Sequence, residues 1–246
     1  MDYPDKIVIS GFPGGLGQAL AKSLPVKNVV GINRQLYYPG WKCKQFVLDI
    51  SDFLITEKIL CNYAENLGEK TVALVLAAGR LGEAGGIVNS NLGDWEYTFR
   101  TNVLGNAAVI RAFLKHMFDT KYGRIIFIAG GGAAYGFPEF TGYSLSKVAI
   151  VREVENIAEQ TSELPYFSII ALAPGAMETK MLQQVKKAGG KIKTTVDIKE
   201  PIEFIKNFIT MDFEKAKSLS GKFIHVRDDL ESPDFENKWL LRRMEK

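Results

Sequence analysis

The chain has 246 residues, 46% hydrophobic and 24% charged, which suits one large α/β domain with a real core. A net charge of +3, from basic residues scattered without an aromatic-basic stripe, argues against a nucleic-acid partner. Apolar runs such as Val72 to Ala78 are far too short to cross a bilayer, and polar Met1 to Lys6 does not read as a signal peptide, so a cytoplasmic protein is expected, with no membrane partner. Cys43 and Cys61, and His116 and His225, are the only residues of their kinds and are not spaced as ligands or redox pairs, so no disulfide or metal site is expected.

Taken in chain order, Lys6–Ser10 reads as a buried strand, followed by a glycine-rich turn and a helix stopped by Pro25. Asn28–Ile32 and Gln45–Leu48 read as strands two and three. Asp52 starts a helix with Ile55, Ile59, Tyr63 and Leu67 at helical period. Thr71–Ala77 is a fourth strand, and Leu81–Gly93 a loop. With Asp94 as N-cap, a long helix follows, carrying Phe99, Val103, Ala107, Ile110 and Leu114 on one side. Arg124–Ala129 is a fifth strand, Gly130–Pro138 a loop, and a helix then runs to about Glu163. Phe167–Leu172 is a sixth strand, Lys180–Lys199 a polar stretch, Pro201–Ile209 a helix and Lys222–Val226 a last strand. This alternation predicts a doubly wound, Rossmann-type parallel sheet of seven strands with helices on both faces. No composition shift marks a linker, so residues 1–246 read as a single domain.

The turn after the first strand is Ser10-Gly-Phe-Pro-Gly-Gly-Leu-Gly17, with Gly11, Gly15 and Gly17 at the spacing that brings a pyrophosphate to a helix N-terminus. A turn that merely needs positive φ angles would look the same. Strand two ends in Asn33-Arg34, where an acidic residue would bind a ribose 2′-hydroxyl. An arginine there suits a 2′-phosphate, which favours NADP(H) over NAD(H), although a plain surface arginine reads alike. Further on, Tyr143 and Lys147 are four apart on a predicted helix. A cation beside a phenol lowers its pKa, and a phenol so tuned can move a proton.

In these motifs the chain resembles the short-chain dehydrogenases/reductases over nearly its whole length. Gly11, Gly15 and Gly17 match that family's cofactor turn, with Leu16 inside it, and Asp49 matches the residue that contacts the adenine, with Ile50 beside it. Ala77-Ala78-Gly79 stands where the family has Asn-Ala-Gly, and Pro174, Gly175 and Thr179, with Met177 between them, match the segment that meets the nicotinamide carboxamide. Asn102, Tyr143 and Lys147 match three members of the catalytic tetrad. The resemblance implies a nicotinamide cofactor and hydride transfer to or from a carbonyl or secondary alcohol. Tyr143 would be the general acid/base, Lys147 the ribose ligand that lowers its pKa, and Asn102 the holder of a relay water. A homodimer or homotetramer is implied through the helices carrying Asn102 and Tyr143.

Two departures stand out. The family's serine, 13 residues before the tyrosine, falls at Gly130, with no serine or threonine from Ala129 to Tyr135. Tyr135, a substrate hydroxyl or a water are the candidates to replace it, and Thr141 is expected to point elsewhere. Ala77 removes an asparagine that steadies the central strands. The missing serine motivates an alternative, a dinucleotide-binding sensor or partner subunit with little redox activity. A variable substrate loop is expected at about 177–199. Its Lys180, Lys186, Lys187, Lys191 and Lys193 would suit a sugar-type or anionic metabolite, or serve solubility alone. The extension at about 228–246, with Trp239, Leu240 and Leu241, is similar to the ending of relatives associated with surface-polysaccharide synthesis.

Overall fold

Near-continuous apolar runs become strands covered on both sides. In the computed structural model, which describes residues 2–35, 40–192 and 195–232, these are β1 (Lys6–Ser10), β2 (Val29–Asn33), β3 (Lys44–Val47), β4 (Val72–Leu76), β5 (Tyr122–Ile128), β6 (Tyr166–Ala173) and β7 (Phe223–His225). They form one parallel sheet in the order β3-β2-β1-β4-β5-β6-β7. The chain is thus a single α/β domain with a doubly wound, Rossmann-like sheet, as expected. Lys193 and most of the C-terminal extension, with Trp239, Leu240 and Leu241, lie outside the described residues.

Alternate residues of each strand serve two cores. On one face Val8, Ile32, Leu74, Phe127 and Ile169 pack with α2 (Phe53–Glu65), α5 (Asn106–Thr120) and α6 (Thr141–Gln160). On the other, Ile7, Ile9, Val75, Ile126 and Leu172 pack with α1 (Gly15–Ser23), α8 (Lys199–Thr210) and α9 (Phe213–Ser218). The strand order reverses between β1 and β4, and the loops leaving the carboxyl ends of these strands flank the crevice where such sheets bind ligands. Among the described residues, no helix is long and apolar enough to cross a membrane.

Several element boundaries differ from expectation for local reasons. The buried face of α2 is Thr56, Leu60 and Ala64, while Ile55 and Ile59 are exposed. A short α3 (Gly86–Asn89) lies inside the loop after β4. Helix α4 (Leu92–Phe99) is capped by Asn91, whose side chain accepts from the Gly93 N–H at 2.7 Å, and not by Asp94. Asp94 instead pairs with Arg80 and accepts from the Glu83 N–H. A π-helical turn, Arg100–Gly105, interrupts the long helix between α4 and α5 and rotates its register. Of the residues expected on its inner side, only Ile110 is fully buried. The polar stretch after residue 180 holds α7 (Lys180–Lys187), and α9 was not foreseen from the sequence.

Candidate active site

The turn from β1 to α1 is shaped by close approaches of main chain. Gly11 has φ +72°, and a Cβ there would lie 2.7 Å from the Ala78 nitrogen. At Gly17 it would lie 2.5 Å from the Gly11 carbonyl oxygen, and at Gly15 2.7 Å from Thr179 Cγ2. Helix α1 has no side-chain cap and no acidic residue in its first turn, so no side chain of its own neutralises its leading N–H groups. Leu16 is buried under this turn.

At the end of β2, Asn33 is buried. Its Oδ1 accepts from the Gln35 N–H at 3.0 Å, and its buried Nδ2 has no partner. Arg34 is exposed beside it. Beyond β3, Asp49 accepts from the Ser51 N–H at 3.0 Å and from the Tyr97 hydroxyl at 3.2 Å, and Ile50 is buried. Burial opposes the Asp49 charge, but these bonds and the Arg34 cation together hold its carboxyl below the usual carboxylate range.

The loop after β4 is tied down by a network that sequence reasoning missed. Ser10 Oγ donates to Asn106 Oδ1 at 2.8 Å, and the Ala78 N–H donates to Ser10 Oγ at 3.2 Å. Asn106 Nδ2 in turn donates to the Ala78 carbonyl at 3.0 Å. The steadying group that Ala77 lacks is therefore supplied from α5. Its only sequence signal is the recurrence of asparagine one helical turn after Asn102.

Asn102 is fully buried in the π turn. Its Oδ1 accepts from the Arg80 N–H at 2.8 Å, and its Nδ2 donates to the Arg80 carbonyl at 3.0 Å and to Ser146 Oγ at 2.9 Å. Ser146 Oγ donates to the Tyr143 carbonyl at 2.7 Å, so one amide joins the β4 loop to α6. A Cβ on Gly79 would sit 3.4 Å from Asn102 Oδ1 and 3.6 Å from Lys147 Nζ, which places all three groups at one point. Lys147 is 5% exposed and donates to the Ile128 carbonyl at 2.7 Å. Its Nζ lies 5.5 Å from the centre of the Tyr143 ring.

Tyr143 is half-buried, with its hydroxyl 3.5 Å from the Cβ position of Gly130. The expected lowering of its pKa is not seen. Burial, with the nearby Tyr135 phenol, pushes Tyr143 up to about 12. Burial also lowers Lys147 to about 7, so the cation that was to acidify the phenol is itself weakened.

Pro174 is buried at the end of β6, and Gly175 follows at φ +74°. Thr179 Oγ1 donates to the Met177 carbonyl at 3.2 Å and caps α7 by accepting from the Leu182 N–H at 3.3 Å. Tyr143 packs, with Phe137, Met181, Ala188 and Ile192, against a buried apolar cluster of Leu81, Phe140 and Val185. Lys180, Lys186, Lys187 and Lys191 are exposed, and Lys186 pairs with Glu178 at 2.9 Å. Thr141 Oγ1 donates to the Pro138 carbonyl at 3.2 Å. Among the described residues, no group of His, Cys, Asp and Glu side chains is placed to hold a metal ion.

A sequence model of the family described as short chain dehydrogenase matches residues 5–189, which takes in the glycine turn, Asn102, Tyr143, Lys147 and Thr179. The chain belongs to the short chain dehydrogenase family. As a short chain dehydrogenase it is an NAD(P)-dependent oxidoreductase of carbonyl or alcohol substrates. It is 24% identical over 248 residues to the 3-oxoacyl-[acyl-carrier-protein] reductase FabG of Haemophilus influenzae, covering 91% of this chain and 96% of that protein. It is 23% identical over 253 residues to a benzil reductase ((S)-benzoin forming) of Bacillus cereus, covering 96% and 98%. The solved structure of ElxO with NADP bound shares the fold at TM-score 0.75 and 21% identity, over 91% of this chain and 97% of that one. The residues present fit a dinucleotide: the glycine turn leaves a cradle that side chains would fill, and the orphaned Asn33 Nδ2 is a donor at the ribose end.

Proposed function

We propose that this short chain dehydrogenase reduces an apolar ketone or aldehyde with NADPH. Supporting this most directly is the convergence of Gly79, Asn102 Oδ1 and Lys147 Nζ beside the Tyr143 phenol, next to a turn built for a pyrophosphate. When bound, the nicotinamide supplies hydride. Tyr143, at about 12, carries its proton at neutral pH and so serves as general acid, which favours reduction over oxidation. Lys147 and Thr179 hold the nicotinamide end, and Gly11, Gly15, Leu16, Gly17, Asp49, Ile50, Ala78, Gly79, Pro174, Gly175 and Met177 form the rest of the cofactor bed. An anionic dinucleotide favours the charged form of Lys147 by simple attraction, restoring the cation beside the phenol. Asn102 acts as a positioning residue through its bonds to Arg80 and Ser146.

The preference for NADPH rests on Asn33 Nδ2 and Arg34, a neutral donor and a cation where a carboxylate would repel a 2′-phosphate. The preference for an apolar substrate rests on the Leu81–Phe137–Phe140–Val185 wall, since the loop lysines are exposed. Leu104, Phe118 and Leu145 are exposed on the π turn, α5 and α6, which supports a homodimer or homotetramer through those helices.

The test is an absorbance assay of NADPH consumption with aryl ketones, α-diketones such as benzil, 3-oxoacyl thioesters and phosphorylated sugars. Turnover is expected on the apolar carbonyls, faster with NADPH than with NADH. Turnover confined to phosphorylated sugars would overturn the substrate class. Dinucleotide binding without turnover on any of them would favour a sensor or partner subunit.

A further inference from the structure

Hydride addition to a carbonyl leaves negative charge on its oxygen, which has room for two hydrogen bonds. A single phenol supplies one. A second preorganised donor at that oxygen contributes about 2.7–4 kcal/mol, or on the order of 10²–10³ in rate. The loop that faces the Tyr143 hydroxyl runs Ala129-Gly-Gly-Gly-Ala-Ala-Tyr135 and has no small hydroxyl side chain.

That loop is committed to glycine. Gly130 has φ +123° and ψ 174°, a region essentially closed to residues with a side chain, so no serine fits there without strain. A tight turn follows, in which the Ala133 N–H donates to the Gly130 carbonyl at 3.0 Å. The Ala134 and Tyr135 N–H groups donate to the Gly131 carbonyl at 2.9 and 3.2 Å. Ser144 Oγ donates to the Gly132 carbonyl at 2.7 Å and fastens this turn to α6. The turn folds the Tyr135 ring back over its own start. A Cβ on Gly131 would fall on the Tyr135 hydroxyl and lie 2.8 Å from Cζ. The Tyr135 hydroxyl therefore fills side-chain space at Gly131, next to Gly130, over which the Tyr143 hydroxyl stands. The small hydroxyls nearby donate to main-chain carbonyls: Thr141 to Pro138, Ser144 to Gly132 and Ser146 to Tyr143.

We propose that Tyr135 is the second hydrogen-bond donor to the substrate oxygen, so that two phenols, one carried on the loop and one on α6, hold that oxygen between them. This rests on the reading of Tyr143 given above. Tyr135 moves no proton in the net reaction. Tyr143 gives its proton to the oxygen, hydride goes to the carbon, and Tyr135 stabilises the charge in between. The electrostatic influence of Tyr135 on the Tyr143 phenol agrees with the two groups facing a common space.

Tyr135→Phe and Gly131→Ala test this on the full chain, with the benzil reduction rate, NADPH affinity by fluorescence and the melting temperature measured for each. Tyr135→Phe should lower kcat/KM by about 10²–10³-fold with NADPH affinity and melting unchanged. Gly131→Ala keeps Tyr135 but displaces its hydroxyl, and should lose activity to a similar degree. If Tyr135→Phe melts early, Gly131→Ala decides the matter, and full activity in it would overturn the assignment. An active wild type, an inactive Tyr143→Phe and a fully active Tyr135→Phe would overturn the role of Tyr135 alone. A wild type without turnover on any carbonyl would overturn the reading of the whole site.

Discussion

Around β1, β2 and β4 the candidate site is made by main chain passing close to main chain: Gly11 against Ala78, Gly17 against the Gly11 carbonyl, and an α1 N-terminus with no side-chain cap. Around β5 and α6 it is made by long side chains reaching across: Lys147 to the Ile128 carbonyl, Tyr143 over Gly130, Tyr135 over Gly131. The first region can accept a ligand with its geometry already set, because backbone has few ways to move. The second carries the buried ionisable groups, and their charge states depend on what stands beside them. On the proposed reading, binding and chemistry are thus divided between a rigid half and an electrically adjustable half.

The largest effect that would sharpen this contrast concerns Lys147. Its pKa falls from 10.5 to about 7 because burial disfavours the charged amine. Folding then favours the neutral form. The cost of keeping Lys147 is absent above pH 10.5, grows as pH falls, and is complete below about pH 7. The stability of the wild type relative to Lys147→Met should therefore rise by roughly 4 kcal/mol between those limits. Urea denaturation of both proteins across that range measures it. A difference independent of pH would show that the amine is not buried as described.

In the rigid half, Arg34→Ala should weaken NADPH binding by about 1.5–3 kcal/mol, the worth of a hydrogen bond to a charged group. NADH binding should change far less. Equal losses for the two dinucleotides would remove the case for NADPH.

Gly130→Ser separates the two halves at a single residue. Restoring the hydroxyl that the family carries should cost about 1–3 kcal/mol of stability, because φ +123° is strained for serine. It should bring no gain in turnover. A serine variant that melts like the wild type and turns over faster would show that the loop has another conformation within reach.

The rigid half was legible in the sequence. Gly11, Gly15 and Gly17 each occupy a position where a side chain would collide, and apolar runs on both faces of the sheet give an unambiguous strand signal. The adjustable half was legible only in its residue types. Nothing in the spacing of Tyr143 and Lys147 told that the amine would be drawn to the Ile128 carbonyl, or that burial would outweigh the mutual influence of the pair. The Ser10–Asn106–Ala78 network joins residues as much as 96 positions apart, which no local pattern encodes. The π turn at Arg100–Gly105 widens the helix and rotates the register of the long helix, which a regular helical period does not encode.

On the proposed reading, the Tyr143 hydroxyl delivers the proton that accompanies hydride. Single-turnover oxidation of NADPH by benzil, measured for wild type and Tyr143→Phe beside a fluorescence titration of NADPH, tests it most directly. The rate should fall by about 10²–10⁴-fold while NADPH affinity is unchanged. A Tyr143→Phe protein that oxidises NADPH at the wild-type rate would show that Tyr143 is not the proton donor.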